Sequence, residues 1–119
     1  MERFDHEKLD VYNTAVDWVV LAQDIVSQMP QACASANLAE QLQRAAASIT
    51  LNIAEGAGEY SPKEKARFYR IAKRSATECA AVLDVAQRRN AIHPKLFASG
   101  RDLLLRIVAM LVKLSRART

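Results

Sequence analysis

Between Ser48 and Glu78 the chain reads SITLNIAEGAGEYSPKEKARFYRIAKRSATE, two helical periods joined by a short corner. Before the corner, Leu38, Leu42, Ala45, Ile49 and Ile53 recur at three- and four-residue spacing, which places them on one helical face. Gly56 and Gly58 follow, residues without a Cβ that can enter the left-handed conformation in which many helices end. Beyond the corner, Ser61 can cap a new helix, Pro62 suits its first turn, and Glu64 stands where a capping box needs an acid. A helix that stops and restarts within so few residues folds back antiparallel, and the rest of the chain must pack against that hairpin.

The other helix breakers extend the pattern. Pro30 and Pro94 fall at the edges of apolar-periodic segments, so helices are expected at about 10–29, 37–57, 62–89 and 94–116. Half of the 119 residues are hydrophobic but only 6% are aromatic, a balance that suits close-packed helices. The expected fold is all-α: one domain over residues 1–119, an antiparallel up-down-up-down four-helix bundle. Cys33 and Cys79 stand at no metal-type spacing and are expected as two reduced thiols. The start MERFDHEKLD lacks the apolar core of a signal peptide, and the apolar run over 103–112 is broken by Arg106. A cytoplasmic location without a membrane segment is therefore expected.

Periodicity assigns each helix a core face. On helix one the expected stripe is Tyr12, Ala15, Val16, Val19, Ala22 and Val26. Trp18, Leu21 and Ile25 fall outside it and widen the apolar arc beyond what a single core requires. With Leu103 and Met110 on helix four, they are read as an oligomer interface anchored by Trp18, the alternative being that a loop or the N-terminal arm folds over this face. Helix three is expected to bury Phe68, Ile71, Ala72, Ser75, Cys79, Val82 and Ala86. Helix four is expected to bury Phe97, Leu104, Ile107, Leu111 and Leu114, with Gly100 permitting a close neighbour. Ser48, Asn52 and Glu55 form a polar row that closes the hairpin, Glu55 approaching Lys63, while the Ser75 hydroxyl bonds a backbone carbonyl. Residues 1–8 are expected as a loosely docked arm.

The net charge of +4 hides a division. Residues 1–62 carry three Lys or Arg against nine Asp or Glu, a net of −6; residues 63–119 carry 14 against four, a net of +10. Lys63, Arg67, Arg70 and Arg74 recur at i, i+4, i+7 and i+11 and form one basic stripe on helix three, widened by Lys65 and Lys73. Cations in a row supply phosphate binding without selecting a base sequence. The nearby aromatics are Tyr60, Phe68 and Tyr69, of which Phe68 is assigned to the core, leaving a poor stacking platform.

No catalytic constellation is present. His6 and His93 occupy terminal or corner positions and neither belongs to the paired Glu-x-x-His elements of a di-iron bundle, so they are read as solvent or capping residues. Gly56-Ala57-Gly58 follows a helix rather than a strand and lacks the later glycine of a dinucleotide loop. The expectation is a protein that is not an enzyme and uses no cofactor or metal.

At Ser48-Ile49, Asn52-Ile53-Ala54-Glu55-Gly56 and Arg67-Phe68, then Ile71-Ala72 and Ser75 with Glu78, the chain resembles a bacterial four-helix-bundle family. That family includes proteins encoded by intervening sequences of large-subunit ribosomal RNA genes, and accessory proteins of diversity-generating retroelements. The resemblance covers nearly the whole chain, including Leu9-Asp10-Val11-Tyr12. It departs at Glu59, where a basic residue often follows the corner, and at Arg74, which replaces a usual glycine before Ser75. The resemblance implies a bundle assembled into a ring-like homo-pentamer with a basic surface, and in retroelement members a reverse transcriptase and nucleic acid as partners.

Two functional readings follow. In the first, the chain is a non-enzymatic oligomeric nucleic-acid-binding or accessory protein, contacting RNA or DNA phosphates through Lys63, Lys65, Arg67, Arg70, Lys73 and Arg74. In the second, it is a structural oligomer whose basic face meets an acidic protein surface, such as residues 1–62 of the next subunit, and binds no nucleic acid.

Overall fold

The computed structural model describes residues 2–30 and 37–116. A 3-10 turn over Asp5–Lys8 precedes four helices, α1 (Asp10–Ser27), α2 (Leu38–Gly58), α3 (Pro62–Arg88) and α4 (Pro94–Arg116), and no strand occurs among the described residues. Each helix packs on its neighbours in sequence and α1 closes the set against α4, so the bundle runs up, down, up, down. The long axis of 45 Å is set by α3, whose 27 residues rise about 1.5 Å each. Most of the expected connection over 31–37, including Cys33, lies outside the described residues. Asn37, its last residue, takes φ 62° and leads directly into α2.

The expected loose arm has a defined structure over Asp5–Lys8. The turn packs against both α1 and α2, the Glu7 carboxylate accepts the Phe4 amide at 3.0 Å, and the His6 ring lies between Phe4 and Tyr12. His93 caps α4: its Nδ1 accepts the Lys95 amide at 3.0 Å and its carbonyl accepts Phe97 N.

The buried face of α1 differs from the expected one. Val11, Ala15, Trp18, Ala22 and Ile25 are buried, continuing to Met29 beyond the helix, whereas Val16 and Val20 are exposed. The assignment of Trp18 and Ile25 to an oligomer interface is therefore corrected: both lie in this chain's own core, at 0% and 1% exposure. Leu21, Leu103 and Met110, assigned with them, are partly buried and pack against the same core. The reason is volume. A Cβ on Gly100 would lie 3.0 Å from Trp18 Cζ3 and 3.0 Å from Leu83 Cδ1, so the missing side chain on α4 is the space that the indole and Leu83 occupy. Apolar residues surround so much of α1 that its own pattern does not choose the phase, and the widest side chain goes where a hole exists.

A similar rotation occurs on α3, which buries Ala66, Tyr69, Ala72, Ala76, Cys79, Val82, Leu83 and Ala86, leaving Phe68, Ile71 and Ser75 half-buried at the edge. The α2 stripe is buried as expected, from Leu38 to Ile53.

The corner between α2 and α3 departs from expectation in its glycines. Among the described residues positive φ occurs only at Asn37 and Asn90, so Gly56 and Gly58 remain helical and α2 runs through both. Gly56 answers to packing instead: a Cβ there would meet Tyr69 Cε1 at 2.7 Å and Phe68 Cβ at 3.2 Å. What α2 lacks at its C-terminus is supplied by Lys65, whose ammonium donates to the carbonyls of Gly56 (3.2 Å) and Ala57 (2.8 Å). At the restart, Ser61 Oγ accepts the Glu64 amide at 3.3 Å with Pro62 at the first helical position. The Glu64 carboxylate turns to Arg67 rather than back to the cap, so only half of the capping box forms.

Candidate nucleic-acid interface

The sequence-assigned cations divide into three groups by what holds them. Lys63, Arg70, Lys73 and Arg74 are exposed, and among the described residues none has a carboxylate within ion-pair distance. Arg67 is exposed but engaged: its Nε donates to Glu64 Oε2 at 2.9 Å and its guanidinium lies 4.5 Å from the centre of the Phe68 ring. An exposed pair of this kind contributes about 0.2–1 kcal/mol, so a phosphate can take the place of Glu64 at little cost. Lys65 is half-buried and committed to the two α2 carbonyls, which removes it from the ligand-binding set.

The row exists because α3 buries the face opposite to it. With Ala72, Cys79 and Ala86 turned inward, residues 63, 67, 70 and 74 turn outward, and the intervals of four, three and four residues keep them in line. The row begins in the first turn of the helix, where the dipole adds positive potential, and Glu78 marks its far end. Arg101, which sequence reasoning missed, lines the α3–α4 groove with Ala76, Thr77 and Ala80. Its place depends on how α4 packs, which no local spacing reveals.

The polar residues of the hairpin are occupied with one another. Ser75 Oγ donates to Ser48 Oγ across the helix pair at 2.9 Å, and Asn52 Nδ2 donates to the Ser48 carbonyl (2.8 Å) and hydroxyl (3.1 Å). The hydroxyl is thus the Ser75 partner in place of the expected backbone carbonyl. Glu55 is exposed, and among the described residues it forms no ion pair with Lys63. These groups clasp α2 to α3.

Cys79 is buried in the middle of the core. Burial pushes its thiol up to about 12, an effect only partly opposed by the Trp18 indole beside it. Trp18 Nε1 has no hydrogen-bond partner of ordinary geometry; its nearness to the sulfur only eases the charge of a thiolate there. A thiol so held is a packing residue rather than a nucleophile. Among the described residues no three His, Cys, Asp or Glu side chains converge as a metal set, and no helix is long and apolar enough to cross a membrane.

Comparison with known proteins gives two findings. The family model described as 23S rRNA-intervening sequence protein matches residues 7–113. Among solved structures, the chain is similar to a protein with unknown function from the S23 ribosomal protein family of Bacteroides thetaiotaomicron, at a TM-score of 0.81 and 19% identity. That match covers 88% of this chain and 97% of the other, and at such identity it shows the shared four-helix fold. No curated protein matches.

Proposed function

This chain belongs to the 23S rRNA-intervening sequence protein family, and from that premise we propose that it is a non-enzymatic nucleic-acid-binding protein whose α3 face takes up RNA or DNA phosphates. The observation that carries this reading is that Lys63, Arg70, Lys73 and Arg74 stand exposed with no acid of the described chain to neutralise them. Holding several cations in line costs self-repulsion, which a polyanion relieves by exchanging its condensed counterions for them. The row offers charge without a device for reading base edges, so binding is to be sequence-tolerant and strongly salt-dependent. A reverse transcriptase partner, implied by the resemblance to retroelement accessory proteins, would meet the nucleic acid held on this face.

Four phosphate contacts give a log–log salt slope of about −3 to −4. Replacing Lys63, Arg70, Lys73 and Arg74 together by Gln is expected to abolish most binding in an anisotropy titration and to flatten that slope, with the helical circular dichroism unchanged. Unaltered affinity in the quadruple variant would sink the assignment.

A second reading is favoured by the acidic face of α1. Asp17 and Asp24 flank the exposed Val16 and Val20, and among the described residues neither aspartate is ion-paired. In this reading a second copy of the chain lays that face on the α3 row, giving a head-to-tail assembly that closes as a ring or extends as a filament.

A further inference from the structure

Tyr60 is 99% exposed, whereas tyrosine rings in folded proteins are ordinarily part-buried. The ring sits on a corner anchored at both ends: the Glu59 amide donates to the Gly56 carbonyl at 3.2 Å, and Ser61 Oγ accepts the Glu64 amide. Gly58, two residues before it, is open as well: a Cβ there would meet nothing within 4 Å. The other aromatic rings near the row or at the chain's start are engaged. Phe4, at 72% exposure, lies parallel to His6 with centroids 5.7 Å apart, Phe68 is half-buried beneath Arg67, and Tyr69 is in the core. Tyr60 therefore presents both faces of its ring to solvent, one residue before the helix cap and three before Lys63, the first cation of the row.

An open aromatic face at the head of a line of cations is the pairing with which single strands are held: a base stacks on the ring while its phosphates run along the charges. A duplex keeps its bases stacked on one another and offers the row only phosphates. Of the acids nearest to Tyr60 in sequence, Glu64 pairs with Arg67, and among the described residues Glu59 forms no ion pair with Lys63. Sequence alone left a poor stacking platform because Phe68 was assigned to the core; the full exposure of Tyr60 reverses that expectation. We propose that Tyr60 is a stacking platform for an unpaired base, so that the protein binds single-stranded RNA or DNA in preference to duplex. This rests on the reading of the α3 row as a phosphate site.

The test is anisotropy with labelled oligouridine, oligothymidine and a duplex of matching length, on the full chain. Wild type is expected to favour the single strands. Tyr60→Ala is expected to weaken single-strand binding by about 5- to 150-fold, the range for one lost base–aromatic stack, and to leave duplex binding nearly unchanged. Tyr60→Trp is expected to retain affinity and to show its new indole emission quenched on binding, against the constant background of the buried Trp18. Single-strand affinity unchanged in Tyr60→Ala, an unquenched Tyr60→Trp that still binds, or a wild-type preference for duplex each overturns the stack and leaves the phosphate row standing. Failure of wild type to bind either form overturns the row, and this inference with it.

Discussion

Gly56 and Gly58 lie two positions apart in the last turn of α2 and answer to different physics. At Gly56 an added Cβ meets the ring of the buried Tyr69 at 2.7 Å, closer than carbon atoms approach without something shifting. Gly56→Ala is therefore expected to lose about 1–3 kcal/mol through overpacking, even after the helix gains from the more favourable residue. Gly58 has helical φ and open space, so Gly58→Ala is expected to gain roughly 0.5–1 kcal/mol. Urea midpoints of the two variants check the opposite signs. Cys79 gives a further test at this scale. Its thiol is raised from about 9 to about 12 by burial, so the folded state holds a proton that the unfolded chain gives up. The associated stability is fully present below pH 9 and is lost as pH rises from about 9 toward 12, at up to about 1.4 kcal/mol per pH unit. Cys79→Ala, though less stable overall, is expected to show a shallower fall in stability across that window.

At the scale of the elements, helix ends were legible and helix phases only partly so. Ser61, Pro62 and Pro94 act locally, through caps and a missing amide hydrogen, and each observed helix starts or stops within about two residues of its expected limit. The phase of α1 is not local. Val16, Val19 and Val20 are as apolar as Val11 and Ile25, and what turns Trp18 inward is the gap at Gly100 together with Leu83, far away in the sequence. The basic row was legible for the same reason as the caps, because its spacing belongs to one helix. The pairing of Arg67 with Glu64 was not foreseen, because Glu64 was assigned to the helix cap, and the use of Lys65 depends on how the hairpin closes. Lys65→Met keeps the stem and removes the two bonds to the α2 carbonyls, for an expected loss of about 1 kcal/mol at this half-buried site. It is expected to leave the salt slope of nucleic-acid binding unchanged, while Lys63→Gln reduces it by about 0.7–0.9. Chemical denaturation and a salt titration on both variants separate the clamp from the binding row.

At the level of the molecule, no ion pair found among the described residues joins the acidic half to the basic one. The ion pairs found among the described residues, Lys8–Asp5, Arg44–Glu40 and Arg67–Glu64, all join neighbours within one turn, and none crosses between helices. The polarity of −6 against +10 therefore remains available to partners. The apolar surface that would support self-assembly is also smaller than the sequence suggested, because Trp18 and Ile25 are spent on the core. The exposed large apolar residues of the four helices are Val16 and Val20 on α1, Leu51 on α2, Val85 on α3 and Leu105 on α4. Among these, only the two valines lie a single turn apart on one helix. An assembly built on α1 against α3 is then held as much by charge as by apolar contact, and its mass should fall as salt rises. Light scattering over a dilution series is expected to show a species larger than the monomer at low salt. Asp17→Lys with Asp24→Lys is expected to reduce it to monomer, and Arg70→Glu with Arg74→Glu in the same chain to restore it. If the aspartate variant stays assembled, or if wild type is monomeric at every concentration, head-to-tail contact through these faces is ruled out. If the aspartate variant binds RNA like wild type while losing its assembly, the α3 row serves nucleic acid without help from a second subunit.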